Sequence, residues 1–269
     1  RTAPIYSQLL ERRGKMKKRT ELVQFFAIAI GFTWLFWVPD GLAKRGVLPD
    51  TIWTNLVSRA WGPLVATLYL VIKENGLEGI KGLLKKGTDF KFGKDGGGHP
   101  LAFTRVDHIA YFISIWTEGV VPPSLAEGMY QYLSFIFIIV MFTGGPFQEE
   151  FGWRGYALPR LQSMYSPFVS TLILGFIWAV WHLPQFLVPH EKTGMFYITP
   201  IWSFILTIMV TAFVYTWVYN HTNGSILGAL LLHTQMNFFF LIFPVTYTST
   251  GYLWVLGLFT IAAVVVVWV

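Results

Sequence analysis

Residues 228–243 read GALLLHTQMNFFFLIF. With its flanks the run extends over 223–245, the length of a bilayer-spanning helix, which needs about 20 mostly apolar residues. Yet it carries His233 and Asn237 one helical turn apart, so both project to one side, while Gln235 points elsewhere. A second run, FIWAVWHLPQF at 176–186, holds His182. Polar and ionisable groups are costly in lipid, and those kept at that depth usually face a cavity and act there.

Composition agrees with the membrane reading. The chain is 54% hydrophobic and 13% charged, with a mean hydropathy of +0.52. Soluble domains carry about 25% charged residues, so this chain cannot coat a soluble surface. The fold class predicted is an all-α polytopic membrane protein, about eight transmembrane helices around a polar chamber. Cysteine is absent, which excludes a disulfide framework, a thiolate nucleophile and cysteine-based metal sites.

Eight stretches qualify as spans: 22–39, 56–73, 106–122, 129–147, 166–188, 197–219, 223–245 and 251–269. They divide the chain into a basic arm, 1–21, and one membrane domain, 22–269, whose motif-bearing core is 147–240. The first run follows basic residues but lacks a small-residue cleavage site, so it is expected to be a retained helix, not a signal peptide. Residues 76–87 (GLEGIKGLLKKG) predict a short surface helix, and 88–100 a polar loop.

Sixteen lysines and arginines fall in the arm, in 73–105 and in 148–165, against Lys44, Arg45 and Lys192 in the alternate loops. The positive-inside rule then places both termini in the cytoplasm, and the chamber is expected to open toward that side. The net charge of +6 is this signal plus attraction to an anionic leaflet, and it needs no nucleic-acid partner.

Glu149 and Glu150 are adjacent, so on a helix they point about 100° apart. Glu150 and Arg154 stand at i,i+4, the spacing of a helical ion pair. Glu150 and Arg154 are therefore expected to brace the helix, leaving Glu149 to face the chamber as general base on water. His233 and Asn237 both donate hydrogen bonds, and donors aimed at one point stabilise an oxyanion. Each group has a structural alternative: a helix-start acid, an interfacial histidine, or interhelical hydrogen-bonding glue. No His-Glu-x-x-His motif and no Gly-x-Ser-x-Gly elbow occurs. No cofactor is expected, although Glu149, His182 and His233 could converge as a zinc set.

Taken together, Glu149-Glu150-x-x-x-Arg154, Trp178-x-x-x-His182 and His233-x-x-x-Asn237 resemble the CAAX protease and bacteriocin-processing family. The chain looks most like its Ras-converting CAAX endopeptidases and their prokaryotic homologues. Trp178 stands where the family often has Phe. The resemblance implies a glutamate-dependent intramembrane endoprotease without an obligatory metal. Glu149 and His182 would activate water, His233 and Asn237 would hold the oxyanion, and Glu150 and Arg154 would support them. The implied partner is a prenylated CAAX protein, cleaved to release its last three residues. The implied membrane is the plasma membrane in a prokaryote and the endoplasmic reticulum in a eukaryote. Trp178, Trp181, Phe238 and Phe239 are candidate walls of a prenyl groove. Rival readings are a family member acting on another peptide, as in bacteriocin processing or self-immunity, and a non-enzymatic scaffold or transporter.

Overall fold

In the computed structural model every regular element among the described residues is helical. The structure describes residues 3–51, 59–90, 92, 103, 105–121, 124, 127–189 and 199–268, without side chains for 3–13 and 246. Helix α1 (Ala3–Lys44) passes residue 21 without a break, so the basic arm and the first span are one helix. Helices α2 (Gly62–Gly87), α3 (Arg105–Glu118) and α4 (Leu133–Thr143) follow. Next come α5 (Pro146–Gly152), a π-helical turn (Trp153–Ala157) and α6 (Leu158–Gln162). Then α7 (Pro167–Trp181) leads through a 3₁₀ turn (Leu183–Leu187) to α8 (Ile201–His221), α9 (Ile226–Ile242) and α10 (Gly251–Trp268).

Each of the eight expected apolar stretches holds a helix, but they differ in reach. Among the described residues four segments are long and apolar enough to cross a bilayer: Gly14–Lys44, Pro167–Leu187, Ile201–His221 and Gly251–Trp268. A bent pair, Tyr130–Thr143 with Pro146–Gln162, meets at 42° and makes a fifth when its two helices are taken as one broken span. In α2 the backbone leaves helical geometry at Gly76 (φ 60°, ψ −153°), so the lysine-bearing 77–87 segment is set off from the apolar half, as the surface-helix reading expects. The predicted loop at 88–100 lies mostly outside the described residues.

The bundle closes through small residues, since apolar side chains gain little from leaving lipid and close packing must hold the helices together. A Cβ on Gly62 would meet the Ala29 carbonyl and the Thr33 hydroxyl, which sets how closely α2 starts against α1. Gly175 plays the same part between α7 and α8, facing Met209 and Ala212. Trp181 then crosses to α1, donating Nε1–H to Thr33 Oγ1 at 2.9 Å.

The two ends of the bundle are distinct. At one end Arg160 pairs with Glu21 (3.6 Å) and Glu74, which also accepts from Tyr156. Val266 and Val267 share a crevice with Ser166, Asn220 and His221, so the last described turn of α10 lies at this end. At the other end Arg45 donates to the carbonyls of Phe186 and Leu187.

The broken span revises one expectation. Glu149 lies in its second half, not beyond a completed fourth span. Pro146 cannot continue α4, and Gly145 takes a φ of 107°, a conformation open to glycine. The carbonyls this break frees are recaptured: Gln148 Nε2 donates to Phe142, and Asn237 Nδ2 donates to Gly144 at 3.0 Å. Irregular backbone at membrane depth is tolerated where it lines a cavity, and Gly144 does so.

Candidate active site

A cavity of about 160 Å³ is bounded by the Gly144 break, α5, α7, α8, α9 and α10. Glu149, His182, His233 and Asn237 all line it, so the structure brings the four expected catalytic residues together.

Glu149 is 4% exposed. Its Oε2 accepts two indole hydrogens, from Trp178 at 2.7 Å and Trp153 at 3.3 Å. Oε1 has no hydrogen-bond partner among the described residues and lies against Gly145, where a Cβ would stand 2.7 Å from it. The carboxylate is therefore held from one side only. Trp153 follows Glu149 by four residues, the helical spacing that lets an indole reach back one turn. Sequence reasoning passed over Trp153 and Gly145, although both sit one turn from Glu149.

His182 ends α7, because the residue before Leu183-Pro184 is the last that can remain near helical geometry. Its Nδ1 faces the Trp178 carbonyl at 2.8 Å. A carbonyl only accepts, so Nδ1 carries the proton and Nε2 is left as the acceptor of the neutral ring. Trp37, Trp181 and Phe204 fix the ring plane.

Glu150 and Arg154 are fully buried and paired, with Nη1 at 2.9 Å and 3.0 Å from the two oxygens. The Glu150–Arg154 ion pair expected from the i,i+4 spacing is present, and Glu150 reaches beyond its own helix. Its Oε1 also lies 2.8 Å from His233 Nδ1, a contact between residues 83 apart in sequence. His233 thereby presents Nε2 on the opposite edge of its ring. The Arg154 guanidinium is sandwiched between the rings of Trp178 (4.6 Å) and Tyr215 (4.1 Å), a cation–π stack that favours a buried cation. The π-helical turn, a form that recurs at functional sites, carries Arg154 into this stack. Tyr215 was not foreseen, since α8 carries none of the sequence motifs that pointed to the site.

The expected groove walls divide. Trp178 lines the cavity. Trp181, Phe238 and Phe239 do not: Trp181 is wholly buried against Thr33 and Trp37, Phe238 packs edge-on against Phe137, and Phe239 edge-on against His108. The i,i+4 face that carries His233 and Asn237 turns their neighbours 238 and 239 away. The apolar lining comes instead from Phe204, Ile208, Met236, Phe240, Val255 and Phe259.

The expected opening beside the termini also needs correction. Lining residues come from the C-terminal part of α7, the N-terminal two-thirds of α8, the C-terminal half of α9 and the start of α10. All of these lie in the half of the bundle away from Glu21, Glu74 and Arg160. The helices alternate in direction, and that places the cavity and the basic arm in opposite halves. Among the described residues no three His, Asp or Glu side chains are grouped as metal ligands.

Fold and site define a class: an all-helical polytopic membrane protein with a buried glutamate–histidine centre. Residues 131–239 match the family model described as type II CAAX prenyl endopeptidase, Rce1-like. The CAAX prenyl protease 2 of Methanococcus maripaludis is 35% identical over 92 residues. That match covers 33% of this chain and 34% of the relative, so the chain spans about a third of that protein's length. This motif-bearing core is thus similar to the Rce1-like type II CAAX prenyl endopeptidases, and the likeness covers residues 131–239.

Proposed function

We propose that the protein is an intramembrane endopeptidase that removes the C-terminal tripeptide from prenylated CAAX proteins. The observation that carries the reading is the one-sided hold on Glu149: two indoles fix Oε2, and the carboxylate meets a cavity shared with His182, His233 and Asn237.

In the proposed mechanism Glu149 takes a proton from water while Nε2 of His182 accepts the other hydrogen and orients it. The hydroxide attacks the carbonyl of the prenylated cysteine. The oxyanion that forms is held by His233 and Asn237. His233 Nδ1 lies against Glu150, and in this mechanism the donor to the oxyanion is its Nε2–H. Asn237 spends one amide hydrogen on Gly144 and has a second for the substrate. Losing one such donor typically costs about 10²–10³ in rate. Glu149 then returns its proton to the leaving amine, and the C–N bond breaks. The apolar lining of the cavity suits a farnesyl chain, which would exchange lipid contacts for protein contacts there.

The purified protein in detergent, given farnesylated and unprenylated CAAX peptides, should release the tripeptide from the first only, as read by mass spectrometry. Cleavage of neither would overturn the substrate assignment.

A further inference from the structure

We infer that Ser203, Thr207 and Thr211 form a hydrogen-bonding rail for the extended backbone of the peptide substrate, a positioning role on a helix that carries none of the family motifs. The inference rests on the peptidase reading above.

The three residues recur every four positions along α8 and all line the cavity, so they stand on one face of that helix. The face continues to Tyr215, which packs against His233, and at its other end Phe204, beside Ser203, packs against His182. The hydroxyls thus occupy the wall between the two imidazoles. Ser203 is 1% exposed and Thr211 2%.

Their hydrogen bonding sets them apart. Helix-interior threonines elsewhere turn inward: Thr67, Thr143, Thr171 and Thr234 each donate to the carbonyl four residues back. Ser203, Thr207 and Thr211 make no hydrogen bond among the described residues, and the buried Thr211 Oγ1 is a polar atom with no partner. A buried hydroxyl left unpaired is costly, and one that lines a cavity can take its partner from a molecule bound there.

Spacing identifies the partner's chemistry. At 1.5 Å per residue, hydroxyls four apart on a helix stand about 6 Å apart. An extended peptide turns the N–H and C=O of alternate residues to one edge, at a repeat of about 6.6 Å. The rail matches that repeat over about 12 Å, the length of three to four extended residues. A prenyl chain has no polar group for it.

The test is a double-mutant cycle on kcat and KM. Thr211→Val keeps the shape and removes the hydroxyl, and Thr211→Ser keeps the hydroxyl. The substrates are farnesylated CAAX peptides with each backbone amide near the scissile bond replaced in turn by an ester. Thr211→Val is expected to lower kcat/KM about tenfold, mostly through KM, with an unchanged melting temperature and with activity recovered in Thr211→Ser. For one ester peptide the wild type and Thr211→Val should become equal, because the bond is already lost. Losses that multiply for every ester peptide, or no loss in Thr211→Val and Thr207→Val together, would overturn the rail while leaving the peptidase reading intact. A wild type that neither cleaves nor binds the farnesylated peptide would overturn both.

Discussion

The two halves of this bundle handle membrane-buried charge in opposite ways. At one end, Glu74, Glu21, Tyr156 and Arg160 satisfy one another. In the other half Glu149 is gripped by indole N–H groups on one oxygen and opens to a cavity on the other. The first arrangement answers its own electrostatics and has no capacity left for a ligand. The second keeps an incompletely satisfied carboxylate in place by spending a neighbouring pair, Glu150–Arg154, on orientation. The difference is between charges that satisfy one another and a carboxylate held by one oxygen at the edge of a cavity.

The largest effect on this contrast should come from Glu150→Gln. Breaking a fully buried pair leaves an uncompensated cation and typically costs about 3–5 kcal/mol. Thermal unfolding in detergent should show a large drop in melting temperature, and His233 loses its Nδ1 anchor at the same time. An unchanged melting temperature would mean that Arg154 is held by its aromatic stack alone.

Gly145→Ala is the next probe. It forces a side chain into a φ of 107° and toward Glu149 Oε1. Strain of that kind costs about 1–3 kcal/mol, and activity should fall by roughly ten- to a hundredfold as the carboxylate shifts. Activity equal to wild type would show that the break does not set the position of Glu149.

The smallest effect belongs to the paired end. Arg160→Ala removes a partly exposed ion pair, worth about 0–1 kcal/mol. Its melting temperature should move little and its kcat not at all. A large loss of kcat would erase the distinction between the halves.

Orientation sharpens the same comparison. The charge bias assigns the arm to the cytoplasm, whereas a prenylated tail in the cytoplasmic leaflet requires the chamber half on that side. The chain has no cysteine, so single cysteines at Gly46 and Lys85 can be labelled in intact cells. The functional reading predicts a cytoplasmic Gly46. A cytoplasmic Lys85 with Gly46 outside would contradict it.

Much of the site was legible because helical spacing is short-range. Glu150–Arg154 and His233–Asn237 are one-turn pairs, and the structure keeps each pair on one face. Trp178 was legible as a neighbour of His182, but not as a donor to Glu149, 29 residues away, because that contact exists only once α5 and α7 meet. The His233–Glu150 contact escaped for the same reason. The walls at Phe238 and Phe239 failed on rotation: the two rings turn to Phe137 and His108 instead of the cavity. The chamber's placement failed on the broken span, whose Gly144-Gly145 break looked like the end of a helix and instead lies within the bundle. The α8 hydroxyls were visible at every fourth position, but only the described hydrogen bonds show that they differ from other threonines.

The central claim is that Glu149 activates water without a metal. The direct measurement is cleavage of a farnesylated CAAX peptide by wild type and Glu149→Gln, each with and without a strong zinc chelator. Loss of a general base costs about 10²–10⁴ in rate, so Glu149→Gln should fall by that much at an unchanged melting temperature, while the chelator leaves the wild type unaffected. Full activity in Glu149→Gln, or loss of wild-type activity on chelation that zinc restores, would contradict the account.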